Sequence, residues 1–239
     1  MEILGFQTID SKPALYHPAL DLVVISDIHL GLEGSMTSKG SYVPRFQLDD
    51  IKDELEEIRE ETGADRILVN GDLKNQFSTS YTEKQEVDEF LEFLIDLFDE
   101  VLLIEGNHDT FLDNTAEKHG LELRESFGED GVLFVHGHED VDENFDTLVI
   151  GHEHPALALT DDVGVKEKID CFLYGEIEAG NIVVMPAYSK ISNGSEVNNM
   201  PREELLCPVL REYGVDDLKA VGVSREAGLF EFPELSKIK

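Results

Sequence analysis

The sequence has no tryptophan, only two cysteines, and 19 basic residues against 52 acidic ones, which leaves a formal net charge of −33. Each shortage excludes something. Cys171 and Cys207 fit no zinc-binding pair spacing, and a lone pair makes neither a disulfide framework nor a cysteine-based metal site. The scarcity of Lys and Arg argues against broad, sequence-independent duplex binding, which draws its affinity from displacing counterions off phosphate. No apolar run is long enough to cross a bilayer, and Met1-Glu2-Ile3-Leu4-Gly5 lacks the basic region and cleavage site of a secretory signal. A soluble, cytoplasmic protein with no membrane partner is expected. The acidic excess suits a salt-adapted cytosol, because at molar salt the Debye length falls to about 3 Å and self-repulsion is screened.

What is present is a chain of 239 residues, read as one domain over 1–239. The metal-site core is expected over about 20–190, with residues 190–239 packing on it. Short apolar runs predict buried strands at Leu22–Ile25, Ile67–Val69, Val101–Ile104, Val132–Val135, Thr147–Ile150 and Asn181–Met185. Between the first three lie helical stripes, one of Leu48, Ile51, Leu55 and Ile58 and one of Val87, Phe90, Leu91, Leu94, Ile95 and Phe98. Strand–helix alternation means an α/β fold, and the strand-rich second half predicts a more antiparallel or mixed sheet packed on the first. The segment from Ser189 to Pro208, rich in Asn, Ser, Gly and Glu, is expected to be a mobile loop.

Five of these strands run directly into residues that bind metals. Ser26-Asp27-Ile28-His29 follows the first, Asn70-Gly71-Asp72 the second and Glu105-Gly106-Asn107-His108-Asp109 the third; His136-Gly137-His138 follows the fourth and Gly151-His152-Glu153-His154 the fifth. One histidine beside a strand is usually structural, but six of the eight in the chain sit in these five loops. Imidazole and carboxylate together suit borderline first-row cations, and the ends of strands are where α/β folds place their sites. On an extended backbone the spacing Asp-x-His or His-x-His points both side chains one way, so that each pair can reach one centre.

In their order, these blocks resemble the calcineurin-like metallophosphoesterase superfamily: Asp-x-His, Gly-Asp, Gly-Asn-His-Asp, a lone His, and Gly-His-x-His. Asp27-Ile28-His29-Leu30-Gly31-Leu32-Glu33, Gly71-Asp72-Leu73-Lys74 and Gly151-His152-Glu153-His154-Pro155 are most similar to the branch of ligase-associated and archaeal helicase-associated nucleases. The resemblance implies a four-layer α/β/β/α sandwich holding two divalent metal ions, with Mn²⁺ favoured over Fe²⁺, Zn²⁺ or Ni²⁺. It implies Asp27, His29 and His154 on one ion, Asn107, His136 and His152 on the other, and Asp72 between them. A hydroxide bridging the ions would attack phosphorus, and His108, held by Asp109, would be the general acid. His138 is expected near the metals or on the substrate side, and His17 and His119 on the ordinary surface. Glu33, Arg45 and Lys74 lie close enough in sequence to touch substrate.

The branch implies a DNA phosphodiesterase directed at single strands or 3′ ends, with a DNA helicase or other repair protein as partner. Against this stand the acidic balance and, where related repair nucleases carry an acidic residue or histidine, Lys74 and Asn75. The alternative is a phosphoesterase of small phosphodiesters or cyclic nucleotides, whose choice of substrate would reside in the loops Gly31 to Phe46 and Lys74 to Thr82. A non-catalytic scaffold of the same fold is a third reading, disfavoured because every metal-type residue is intact.

Overall fold

The computed structural model describes residues 1–38, 40, 44, 46–76, 81–160 and 164–238. Arg45 and parts of both substrate-side loops lie outside these. The first sheet runs in sequence order through β1 (Glu2–Ile3), β2 (Phe6–Thr8), β3 (Leu15–His17), β4 (Leu22–Ile25), β5 (Arg66–Asn70), β6 (Glu100–Ile104) and β7 (Leu123–Arg124). From β4 onward it is parallel. Its helices are α1 (Leu32–Ser38), α2 (Gln47–Thr62), α3 (Tyr81–Leu97) and α4 (Asp113–Lys118).

The second sheet is mixed. It holds β8 (Ser126–Glu129), β9 (Val132–Val135), β10 (Thr147–Ile150), β11 (Pro155–Thr160), β12 (Lys166–Ile177), β13 (Gly180–Val184), β14 (Ser195–Glu196), β15 (Lys219–Ser224) and β16 (Gly228–Glu234). Strand β10 runs parallel to both β9 and β13, whereas β12 is antiparallel to β11, β13 and β15.

Alternation along the central strands explains why they read as unbroken apolar runs. In β4, Leu22 and Val24 face the second sheet while Val23 and Ile25 face the helices. In β10, Val149 faces the first sheet while Leu148 and Ile150 face outward into a third core. Both faces of these central strands are therefore buried, the condition that removes polar residues from either side of a strand. The stripes of α2 and α3 pack on the first sheet through Ile51, Leu55, Ile58, Val87, Phe90, Leu91 and Leu94. Ile95 departs from the expected stripe and is 40% exposed.

The four expected layers are there, but the fourth is thin. It consists of α5 (Pro208–Tyr213), 3₁₀ turns at Arg202–Glu204 and Leu235–Lys237, and irregular chain, bringing Leu205, Cys207, Val209, Leu210 and Leu235 into the outer core. Both cysteines are free and buried in this outer core. The segment from Ser189 to Pro208, expected to be a mobile loop, carries β14 and a 3₁₀ turn and is tied down: Ser189 Oγ bonds Gln47, Ser195 N–H bonds His154 O, and the amides of Leu206 and Cys207 both donate to Glu153 Oε2.

Candidate metal centre

The carboxyl ends of β4, β5, β6, β9 and β10 converge, and all seven metal-type residues expected from the sequence meet there. Three overlapping groups of ligand atoms result: Asp27, His29 and His154 in one, Asp72, His136 and His152 in a second, and His29, Asp72 and His108 linking them. In the first, His154 Nε2 lies 2.9 Å from Asp27 Oδ1 and 3.2 Å from His29 Nε2. In the second, His136 Nε2 lies 3.4 Å from Asp72 Oδ2 and 3.2 Å from Asn107 Oδ1. Asp72 Oδ2 is also 3.9 Å from His29 Nε2, so it stands between the groups.

The backbone that carries these ligands is not extended. Asp27, His29, Asp72, His152 and His154 all have left-handed φ values, from 46° to 61°. The sharp turns send His152 and His154 into different groups, the division the resemblance implies, whereas an extended backbone would have turned the pair one way; Asp27 and His29 share one group. Close approach completes the geometry. A Cβ on Gly151 would lie 2.0 Å from Ser26 Oγ and 2.5 Å from Asp27 Oδ2, which only glycine permits.

The rings are aimed by groups behind them. His136 Nδ1 meets the carbonyl of Asn70 at 3.1 Å, and His154 Nδ1 meets Ser192 Oγ at 3.1 Å, which turns each Nε2 inward. Ser26 Oγ sits 2.6 Å from Asp27 Oδ2 and 2.9 Å from Asn70 O. Such outer partners are what metal-ligating imidazoles and carboxylates need. Converging Nε2 and carboxylate atoms, without a thiolate, make a donor set that fits divalent first-row cations.

Charge is arranged accordingly. Burial lowers His29 and His152 to about 4, keeping them neutral as ligation requires. Burial opposes the charge on Asp27, but His154 above all holds its carboxyl well below the usual range. Burial likewise opposes His136, yet Asp72 and Asp27 push it up to about 9.

His108 edges the centre, its Nε2 3.9 Å from Asp72 Oδ2 and its backbone N–H donating to Asp72 Oδ1 at 2.9 Å. The expected Asp109–His108 contact is replaced. Asp109 accepts the amides of Lys74 (3.1 Å) and Gly106 (2.9 Å), while His108 Nδ1 meets the carbonyl of Asn75 at 2.5 Å. Burial, then Asp72, pushes Asp109 up to about 7. Glu33 and Lys74 are buried and structural: Glu33 Oε1 accepts the amides of Phe46 and Gln47 at the start of α2, and Lys74 Nζ bonds Gln76 O. His17 packs on Phe6 and His119 bonds Asp88, both apart from these groups.

Asn70 was not singled out by the sequence. Its Nδ2 donates to Val135 O at 2.9 Å and Val149 O at 3.4 Å, joining the first sheet to the second under the centre. An asparagine closing an apolar strand was its one available signal. Beside the second group opens a cleft of about 500 Å³, lined by Asn107, His136 and His138 and by Glu105, Glu125, Glu139, Asp140, Asp142 and Glu143. The His138 ring lies 5.3 Å from that of His136, and its Nδ1 is buried without a partner among the described residues.

A family model described as calcineurin-like phosphoesterase matches residues 20–217. Among solved structures, the nuclease MPE of Pseudomonas putida is similar with a TM-score of 0.63 and 15% identity, over 95% of this chain and 99% of that one. At that identity the likeness concerns the fold. A protein of unknown function from Aquifex aeolicus matches at 20% identity and a TM-score of 0.38, over 56% of this chain and 78% of that one. No curated protein matches the sequence.

Proposed function

The chain belongs to the calcineurin-like phosphoesterase family, and from that premise we propose that it is a two-metal phosphodiesterase acting on single-stranded or 3′-ended DNA. The observation that carries the two-metal reading is the position of Asp72 Oδ2, 3.9 Å from His29 Nε2 on one side and 3.4 Å from His136 Nε2 on the other. Asp27, His29 and His154 would hold one ion, Asn107, His136 and His152 the other, and Asp72 both. The nitrogen and oxygen donor set suits divalent first-row cations; Mn²⁺ is the first choice on the family resemblance, with Fe²⁺, Zn²⁺ or Ni²⁺ as alternatives. When bound, two such ions offset charge on the phosphoryl oxygens and make water acidic enough to attack near neutral pH.

The chain's own residues do the rest. His108 retains its Nδ1 proton on the carbonyl of Asn75 and gives its Nε2 proton to the departing oxygen, ending as a neutral imidazole. Asp109 acts at one remove, by fixing the loop that carries His108 to Lys74. No helix among the described residues is long and apolar enough to cross a membrane. A cytoplasmic setting fits the two unpaired, buried cysteines. With a net charge of −33 the chain repels a strand over most of its surface, so a DNA helicase or other repair protein would supply the grip.

A second reading, hydrolysis of small phosphodiesters or cyclic nucleotides, is favoured by the cleft beside Asn107 and His136. Among the described residues no Lys or Arg lines it. The deciding experiment compares cleavage of labelled single-stranded and duplex DNA with that of bis-p-nitrophenyl phosphate, in Mn²⁺ and high salt, for wild type and His108→Ala. Metal-dependent DNA cleavage that the mutant loses supports the nuclease. Turnover of the small ester alone moves the function to the second reading.

A further inference from the structure

His108 is oriented by a backbone carbonyl, and that carbonyl has a keeper. Asn75 O lies 2.5 Å from His108 Nδ1. The N–H of Gln76, the other half of the same peptide unit, donates to Glu83 Oε1 at 2.8 Å, and the N–H of Asn75 reaches the same oxygen at 3.1 Å. In a planar trans peptide the C=O and the following N–H point in opposite directions. Holding Gln76 N–H on one side therefore aims Asn75 O to the other, where the imidazole sits. The carboxylate also polarises the peptide it binds, which makes the carbonyl a better acceptor.

Glu83 is fixed well enough for this. It is 2% exposed and lies in the first turn of α3, where a negative charge is favoured. A Cβ on Gly31 would lie 2.8 Å from both Glu83 Cγ and Oε1, so the side chain is packed directly beneath the turn that follows His29. A carboxylate is costly to bury, and this one is placed against two amides of the turn behind the proton donor.

We propose that Glu83 is the positioning residue for His108, acting through the Asn75–Gln76 peptide to aim Nε2 at the leaving oxygen. The proposal rests on the reading of His108 as proton donor. It adds a residue some 25 positions upstream in the chain, on a helix that contributes no metal ligand.

The test uses leaving groups, because a proton donor matters for an alkoxide and hardly at all for p-nitrophenolate. Wild type, Glu83→Ala, Glu83→Gln and His108→Ala, each with two bound ions per chain confirmed, are assayed on thymidine 5′-p-nitrophenyl phosphate and on a thymidine dinucleotide. General acids contribute about 10²–10⁴-fold. Glu83→Ala is expected to lower kcat on the dinucleotide by about 10-fold or more while changing the aryl ester by less than about threefold. Glu83→Gln, which keeps an accepting oxygen, should recover much of the loss, and Glu83→Ala in the His108→Ala background should add nothing further. Equal loss on both substrates in Glu83→Ala, beside a selective loss in His108→Ala, overturns the proposal and leaves the proton donor standing. Equal loss in His108→Ala removes the proton donor and the proposal with it.

Discussion

The two sheets hold their shares of the centre by different means. The first supplies Asp27, His29, Asp72, Asn107 and His108 from strands backed by α2 and α3, and every carboxylate ligand comes from this half. The second supplies only imidazoles, His136, His152 and His154, from strands backed by a thin, irregular layer. Two of the three groups draw on both halves, Asp27 and His29 with His154 and Asp72 with His136 and His152, while His29, Asp72 and His108 come together within the first. The centre is thus a seam, and bound ions would join two packed layers as well as activate a substrate.

Four measurements break or sharpen that contrast. Asp72→Asn, which weakens the one ligand proposed for both ions, should lower activity by about 10³-fold, at least the cost of one lost transition-state contact. Metal analysis should then find one ion where wild type holds two. Asn70→Ala removes the donor for Val135 O and Val149 O across the seam, and leaving buried acceptors unmet costs about 2–3 kcal/mol, read as a lower urea midpoint. Mn²⁺ at 100 times its dissociation constant should stabilise wild type by about 2.7 kcal/mol. For a chain this size that raises the melting temperature by about 5–10 °C, and a chelator should reverse it. Glu33→Ala, which removes only the acceptor for the amides of Phe46 and Gln47 in the first half, should cost about 1 kcal/mol as a lost helix cap, the smallest shift in urea midpoint of the set.

The central strands were legible because burial on both faces leaves no polar residue until the chain reaches the site, so each apolar run ends on its ligands. The fringe was not. Strand β12 opens on Lys166-Glu167-Lys168, exposed at the sheet's end, and nothing in those residues suggests a strand. The candidate ligands were legible from side-chain chemistry; their division into groups followed from the family resemblance and not from spacing, because the left-handed turns at His152 and His154 defeat a period-two argument. What orients His108 was invisible for a different reason. It is a carbonyl, which every residue carries, and Asp109 beside it in sequence was the natural but incorrect candidate for direct contact.

The left-handed ligands have a consequence for any attempt to improve the protein. Each imidazole or carboxylate forced into that region costs on the order of 1 kcal/mol, and glycine would carry the same turn without penalty. Five such positions together store energy comparable with the low end of a whole domain's stability, about 5 kcal/mol. In the metal-free chain, then, the residues proposed to hold the ions are among those the fold would most readily exchange. A library selected for thermal tolerance alone would drift toward a sturdier, inert sandwich, so selection has to be made on metal-loaded, working protein.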